Sequence, residues 1–69
     1  MNTLEELVRA LAKRYCFMEG KRYLSHERYV SGWGDKRSDQ LCIAVEDGTG
    51  RYEIRTSTKE VVNKCFDID

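Results

Sequence analysis

The sequence predicts an α+β fold: an N-terminal helix, a three-stranded antiparallel sheet and a short C-terminal helix, in one small domain over residues 1–69. Three observations predict it. A capping signature opens a helix-spaced apolar run near the amino terminus, period-two alternation fills the middle, and a second capping signature precedes the last apolar cluster.

Thr3-Leu4-Glu5-Glu6 is a capping box, in which the threonine hydroxyl accepts from the Glu6 amide and the Glu6 carboxylate reaches back. Leu4, Leu7, Val8, Leu11, Ala12, Tyr15 and Met18 then recur at helical spacing and predict one buried stripe. Arg9, Lys13 and Arg14 fall away from its centre, and Gly20 is a natural C-terminal stop. From Lys21 to Gly34, the shared parity of Tyr23, Tyr29 and Trp33 predicts a strand with Val30 on its other face. The polar stretch Gly34–Asp39 reads as a loop.

Gln40 to Thr56 reads as a β-hairpin. Leu41, Ile43 and Val45 alternate with Cys42 and Ala44, Asp47-Gly48-Thr49-Gly50 supplies turn residues, and Tyr52 and Ile54 return on the core side. Ser57-Thr58-Lys59-Glu60 then opens a helix with Val61, Val62, Cys65 and Phe66 as its apolar positions. Those residues also suit a strand, and the capping signature decides for helix. Phe66 is expected to be integral to the core.

With 69 residues, the core can supply only about 3–5 kcal/mol of net stability, and a substrate cavity walled on all sides does not fit. Three cysteines at wide spacing, Cys16, Cys42 and Cys65, suggest reduced, buried thiols and a soluble protein of the cytoplasm. The acidic start and the lack of a long apolar run argue against a signal peptide or a membrane span.

Net charge is zero but uneven. Residues 9–37 carry eight basic and three acidic residues (+5), while residues 38–69 carry four basic and seven acidic (−3). The layout suits either a basic patch for a partner or the attraction of the two halves in the fold.

The candidate chemistry is thin. Cys16, Cys42, Cys65 and His26 lack the close pairs of a zinc site. Ser25, His26 and Glu27 cannot form a triad on one strand, because adjacent residues face apart. His26 reads as a surface residue on an edge strand, and His26 with Cys42 requires a strand pairing that nothing in the sequence demands. No enzyme, cofactor or metal is therefore expected. The more informative feature is basic–aromatic adjacency: Arg14-Tyr15, Arg22-Tyr23, Arg28-Tyr29 and Arg51-Tyr52. Such pairs serve nucleic acid or a protein pocket, or they mean tyrosine in the core and arginine in water.

The expected function is a stand-alone protein-binding or inhibitory module, of a kind common among phage and mobile-element proteins, acting on a larger protein or nucleoprotein. Lys21, Arg22, Arg28, Trp33, Lys36 and Arg37 are its candidate contact residues, since tryptophan and arginine dominate interface hot spots. A nucleic-acid binder using residues 9–37 is the alternative, favoured if those cations cluster on one face and disfavoured if they disperse. A small homodimer joined through a strand edge is the third reading.

Overall fold

The computed structural model describes residues 3–33 and 36–66, and the side chains of those residues outside 31–38. The element order is α1 (Leu4–Met18), β1 (Arg22–Trp33), β2 (Lys36–Asp47), β3 (Gly50–Ser57) and α2 (Thr58–Phe66). The sheet is antiparallel in the order β1-β2-β3.

Local chemistry starts both helices, and stops α1, where the sequence predicts. Both halves of the capping box form at Thr3, whose hydroxyl accepts from the Glu6 amide at 3.2 Å. At the other end the chain leaves α1 through Gly20, with φ at +70°, a conformation that costs other residues a Cβ clash. At α2 the Ser57 hydroxyl accepts from the Glu60 amide at 3.1 Å. The Glu60 carboxylate turns instead to the Thr56 hydroxyl at 2.8 Å, so the second box closes on one side only.

Both helices pack on one face of the sheet. The core consists of Val8, Ala12 and Cys16 from α1, Leu41, Ile43 and Val45 from β2, and Val61 and Cys65 from α2. Leu11, Tyr15, Tyr23 and Ile54 close its margins. The three cysteines are free and buried, and burial pushes their thiols above the usual range. Cys42 lies on the opposite sheet face from Leu41 and Ile43, between Glu27 and Arg55 in the register.

Four expectations are corrected. First, the buried stripe of α1 runs Val8-Ala12-Cys16, while Leu4, Leu7 and Met18 are exposed. The apolar arc of the helix is wider than the surface the sheet and α2 can cover. Second, Phe66 is 56% exposed and lies under the Arg14 guanidinium, 5.8 Å from its ring centre. Third, β2 begins at Lys36 rather than Gln40, so residues 36–39 are strand and not loop; Gly34 and Asp35 lie outside the described residues. Fourth, Tyr23 and Tyr29 do not share a face. The register slips between Tyr23 and Ser25, and this bulge at Leu24 moves every later residue of β1 to the other side.

Candidate functional site

The bulge decides where each candidate residue goes. Before it, Tyr23 pairs with Val45 and faces the core, leaving Arg22 on the open face. Beyond it, His26 and Arg28 take the helix-covered side, while Glu27 and Tyr29 take the open side. The six candidate residues therefore do not form one patch. Lys21 and Arg22 stand at the start of β1, and Trp33, Lys36 and Arg37 at its far end, roughly 35 Å away along a strand rising about 3.3 Å per residue. The side chains of Trp33, Lys36 and Arg37 lie outside the described residues; their backbones form the last two pairs of the hairpin, Gly32 with Arg37 and Trp33 with Lys36.

The other three cations are each paired with acids of the second half of the chain. Lys21 approaches Asp47 at 3.6 Å, Arg22 approaches Glu46 at 3.8 Å, and Arg28 donates to Asp39 at 3.0 Å. The uneven charge layout thus joins the halves of the fold across the β1–β2 register. Most of the basic–aromatic content is also used internally. Lys13 sits over Tyr23, Lys64 over Tyr15 and Lys21 over Tyr52, each between 5.4 and 5.7 Å from the ring centre, and the Tyr29 hydroxyl accepts from Arg55 at 3.4 Å. Each contact holds a ring and a cation from distant parts of the chain together, worth about 0.5–1 kcal/mol at exposed sites.

His26 is half-buried beneath α1 rather than on the surface, and its Nδ1 is paired with the Tyr23 hydroxyl. Desolvation first, and then Arg9, pushes its pKa down. It cannot meet Cys42, because His26 pairs with Ile43 on the inner face while Cys42 faces outward. At the opposite corner, Asp47 accepts from the Thr49 hydroxyl at 2.5 Å, the Thr49 amide at 2.8 Å and the Tyr52 hydroxyl at 3.0 Å. Those bonds, the Thr49 hydroxyl foremost, hold its carboxyl well below the usual carboxylate range.

Both shifts have the same sign. A lowered folded-state pKa means that the unfolded chain takes up the proton more readily, so stability falls as the pH falls. The melting temperature should be nearly flat between about pH 7 and 8, decline below about pH 6.5 as His26 becomes protonated on unfolding, and decline again below about pH 4 through Asp47. His26→Gln should remove the first decline and leave the second. Thermal melts followed by circular dichroism from pH 8 to 3 would show it, and an unchanged first decline in His26→Gln assigns it to another group.

A concavity lies where the sheet is incomplete. β3 pairs with β2 only from Asp47 back to Gln40, opposite Ser57, whereas β1 and β2 continue together to Trp33 and Lys36. A two-stranded arm therefore projects beyond the three-stranded sheet. Among the described residues, no third strand covers β2 over 36–39. The chain turns away there into α2, and the angle between arm and helix is a cleft of about 780 Å³ floored by Asp39 and Gln40 and walled by Arg55 to Glu60 with Val62. Two of its lining residues, Asp39 and Thr58, each hold a buried side-chain oxygen with no hydrogen-bond partner, Oδ1 and Oγ1 respectively. The sequence reading missed the cleft because it placed residues 34–39 in a loop. The signal that could have found it is arithmetical: strands of twelve, twelve and eight residues cannot end level.

No group of three or more metal-ligating side chains occurs among the described residues, and none of the helices is long and apolar enough to cross a membrane. No family model matches the chain, and no curated protein or solved structure matches it.

Proposed function

We propose that this chain is a non-catalytic protein-binding or inhibitory module of the cytoplasm, and that it takes an extended segment of a larger protein against the uncovered edge of β2. The observation that carries the reading is the unfinished sheet. An edge strand offers a row of backbone donors and acceptors, and natural proteins normally block or cover such an edge. Here the uncovered edge reaches, at Asp39, a cleft whose lining residues Asp39 and Thr58 each hold a buried oxygen without a hydrogen-bond partner. A strand added there would continue the line of β3, with its backbone bonding to β2 and its side chains entering the cleft between arm and α2.

Lys36 and Arg37 lie along the same edge and favour an acidic segment, so they remain contact candidates, with Trp33 beside them at the end of the arm. Lys21, Arg22 and Arg28 leave the proposed contact, since Asp47, Glu46 and Asp39 already pair them. The same dispersal weakens the nucleic-acid alternative, whose affinity rests on phosphates neutralised together.

The test begins with retention from native cytoplasm on the immobilised chain, followed by titration of the retained partner. The Lys36→Ala, Arg37→Ala double variant should melt like the parent and bind at least tenfold more weakly, roughly 1.4 kcal/mol. Amide exchange at residues 36–40 should slow on binding. A retained nucleic acid with a steep loss of affinity in salt, or a protein that leaves those amides unprotected, overturns the reading.

A further inference from the structure

We propose that the outer surface of α1 is a homodimer interface, in which two copies of this chain pair their α1 helices antiparallel about a two-fold axis. The surface is separate from the β2 edge. Leu4, Leu7, Phe17 and Met18 on α1, with Phe66 of α2 beside Arg14, are 60%, 50%, 85%, 47% and 56% exposed. On a helical projection, Leu7, Ala10, Phe17 and Met18 lie roughly opposite the Ala12–Cys16 side that meets the sheet, with Arg14 among them between Leu7 and Ala10 and Leu4 at the strip's edge. The helix thus has two apolar faces. One is spent on the core; the other has no partner among the described residues.

Three features select a second copy as the occupant. The first is charge. Glu5 and Glu6 occupy the first turn, while Lys13 and Arg14 stand two turns on. An antiparallel pair sets Glu6 of each copy beside Lys13 and Arg14 of the other. A parallel pair would stack like on like. The second is shape. Ala10 is exposed and lies at the middle of the strip, where a two-fold axis would cross, and a small residue there lets the helices approach closely. The bulky residues sit toward the ends, so Leu4 of one copy meets Phe17 and Met18 of the other. The third is area. Phe17 and Phe66 at their observed exposures alone offer on the order of 300 Å² per copy, and the three aliphatic side chains with a charged rim bring the patch toward the roughly 800 Å² per partner of a stable interface. Its apolar part stands toward the upper end of the roughly 300–600 Å² that the largest patch on a typical monomer reaches, and such patches are often functional. A self-complementary patch is what a two-fold interface requires.

Sedimentation equilibrium of the purified chain between about 1 and 200 μM, concentrations that span ordinary dimer affinities, should give twice the chain mass at the upper end. Phe17→Glu, at a position that does not touch the core, should weaken the dimer at least thirtyfold while circular dichroism stays native. Orientation is read by charge exchange. Glu6→Arg and Arg14→Glu should each sediment as monomers, because each places like charges together twice. Mixed one to one, they should form a heterodimer, since both cross-pairs are then opposite in sign. That heterodimer also shows each variant to be folded, guarding against loss of the Thr3 cap in Glu6→Arg. A parent that stays monomeric at 200 μM overturns the proposal and leaves the strip to a different chain. A dimer indifferent to Phe17→Glu places the interface elsewhere, and single variants that dimerise as well as their mixture exclude the antiparallel arrangement. Since all of this uses the chain alone, none of the results bears on binding at the β2 edge.

Discussion

Ile43→Ala should leave most of the chain unfolded at 25 °C, whereas Phe66→Ala should melt close to the parent. Ile43 is fully buried at the centre of β2, between Ile54 on one neighbouring strand and His26 on the other. Truncating a buried isoleucine to alanine costs about 2–5 kcal/mol, comparable with the roughly 3–5 kcal/mol a core of this size supplies. Phe66 has the larger side chain but keeps more than half of its surface in water, and its contact with Arg14 is worth about 0.5–1 kcal/mol. Urea titration of both variants, followed by circular dichroism, gives the comparison directly. A cooperative Ile43→Ala transition at the parent's midpoint would show that the core is centred elsewhere, and an unfolded Phe66→Ala would put that ring inside it.

Gly50→Ala should cost about 1–3 kcal/mol, second only to the loss expected at Ile43. Gly50 closes the β2–β3 turn with φ at +134°, a backbone region that residues with a Cβ rarely enter. A Cβ built there meets nothing within 4 Å, so the penalty is strain of the backbone and not a clash with a neighbour. Gly48 is the internal control. It has equally open space and no positive φ, and Gly48→Ala should change stability by less than about 0.5 kcal/mol. Equal midpoints for the two variants would mean that the turn relaxes into another conformation. The Asp47 carboxylate, bonded to Thr49 and Tyr52 in the same turn, should lose its lowered pKa in Gly50→Ala if the strain unravels the turn, which carboxylate titration by NMR can detect.

Elements governed by local chemistry were legible. The Thr3 cap, the stop at Gly20, the Asp47–Gly50 turn and the Ser57 cap each depend on residues three or four apart, and each forms where the sequence places it. The inward set of β2, Leu41, Ile43 and Val45, followed from alternation alone because that strand contains no irregularity. Alternation failed in β1 for a reason invisible along the chain. The bulge at Leu24 is a property of the β1–β2 pairing, and one unpaired residue exchanges the faces of everything after it. That single event separated Tyr23 from Tyr29 and carried His26 under α1.

The candidate site was legible only at its end. Trp33, Lys36 and Arg37 mark the tip of the hairpin, but nothing in their spacing states that β3 stops short of them. The pairing of Lys21, Arg22 and Arg28 with Asp47, Glu46 and Asp39 joins residues 11 to 26 positions apart, and composition could pose that choice without deciding it.

By itself, then, the sequence determined the order of helices and strands, but not that β2 starts at Lys36, because caps, turns and periodicity act over one or two turns of chain. The tertiary structure alone decided which apolar residues of the two helices are buried. A helix with apolar residues around most of its circumference can bury only the arc its neighbours reach, and in α1 that arc is Val8, Ala12 and Cys16, with Leu7 and Phe17 left in water.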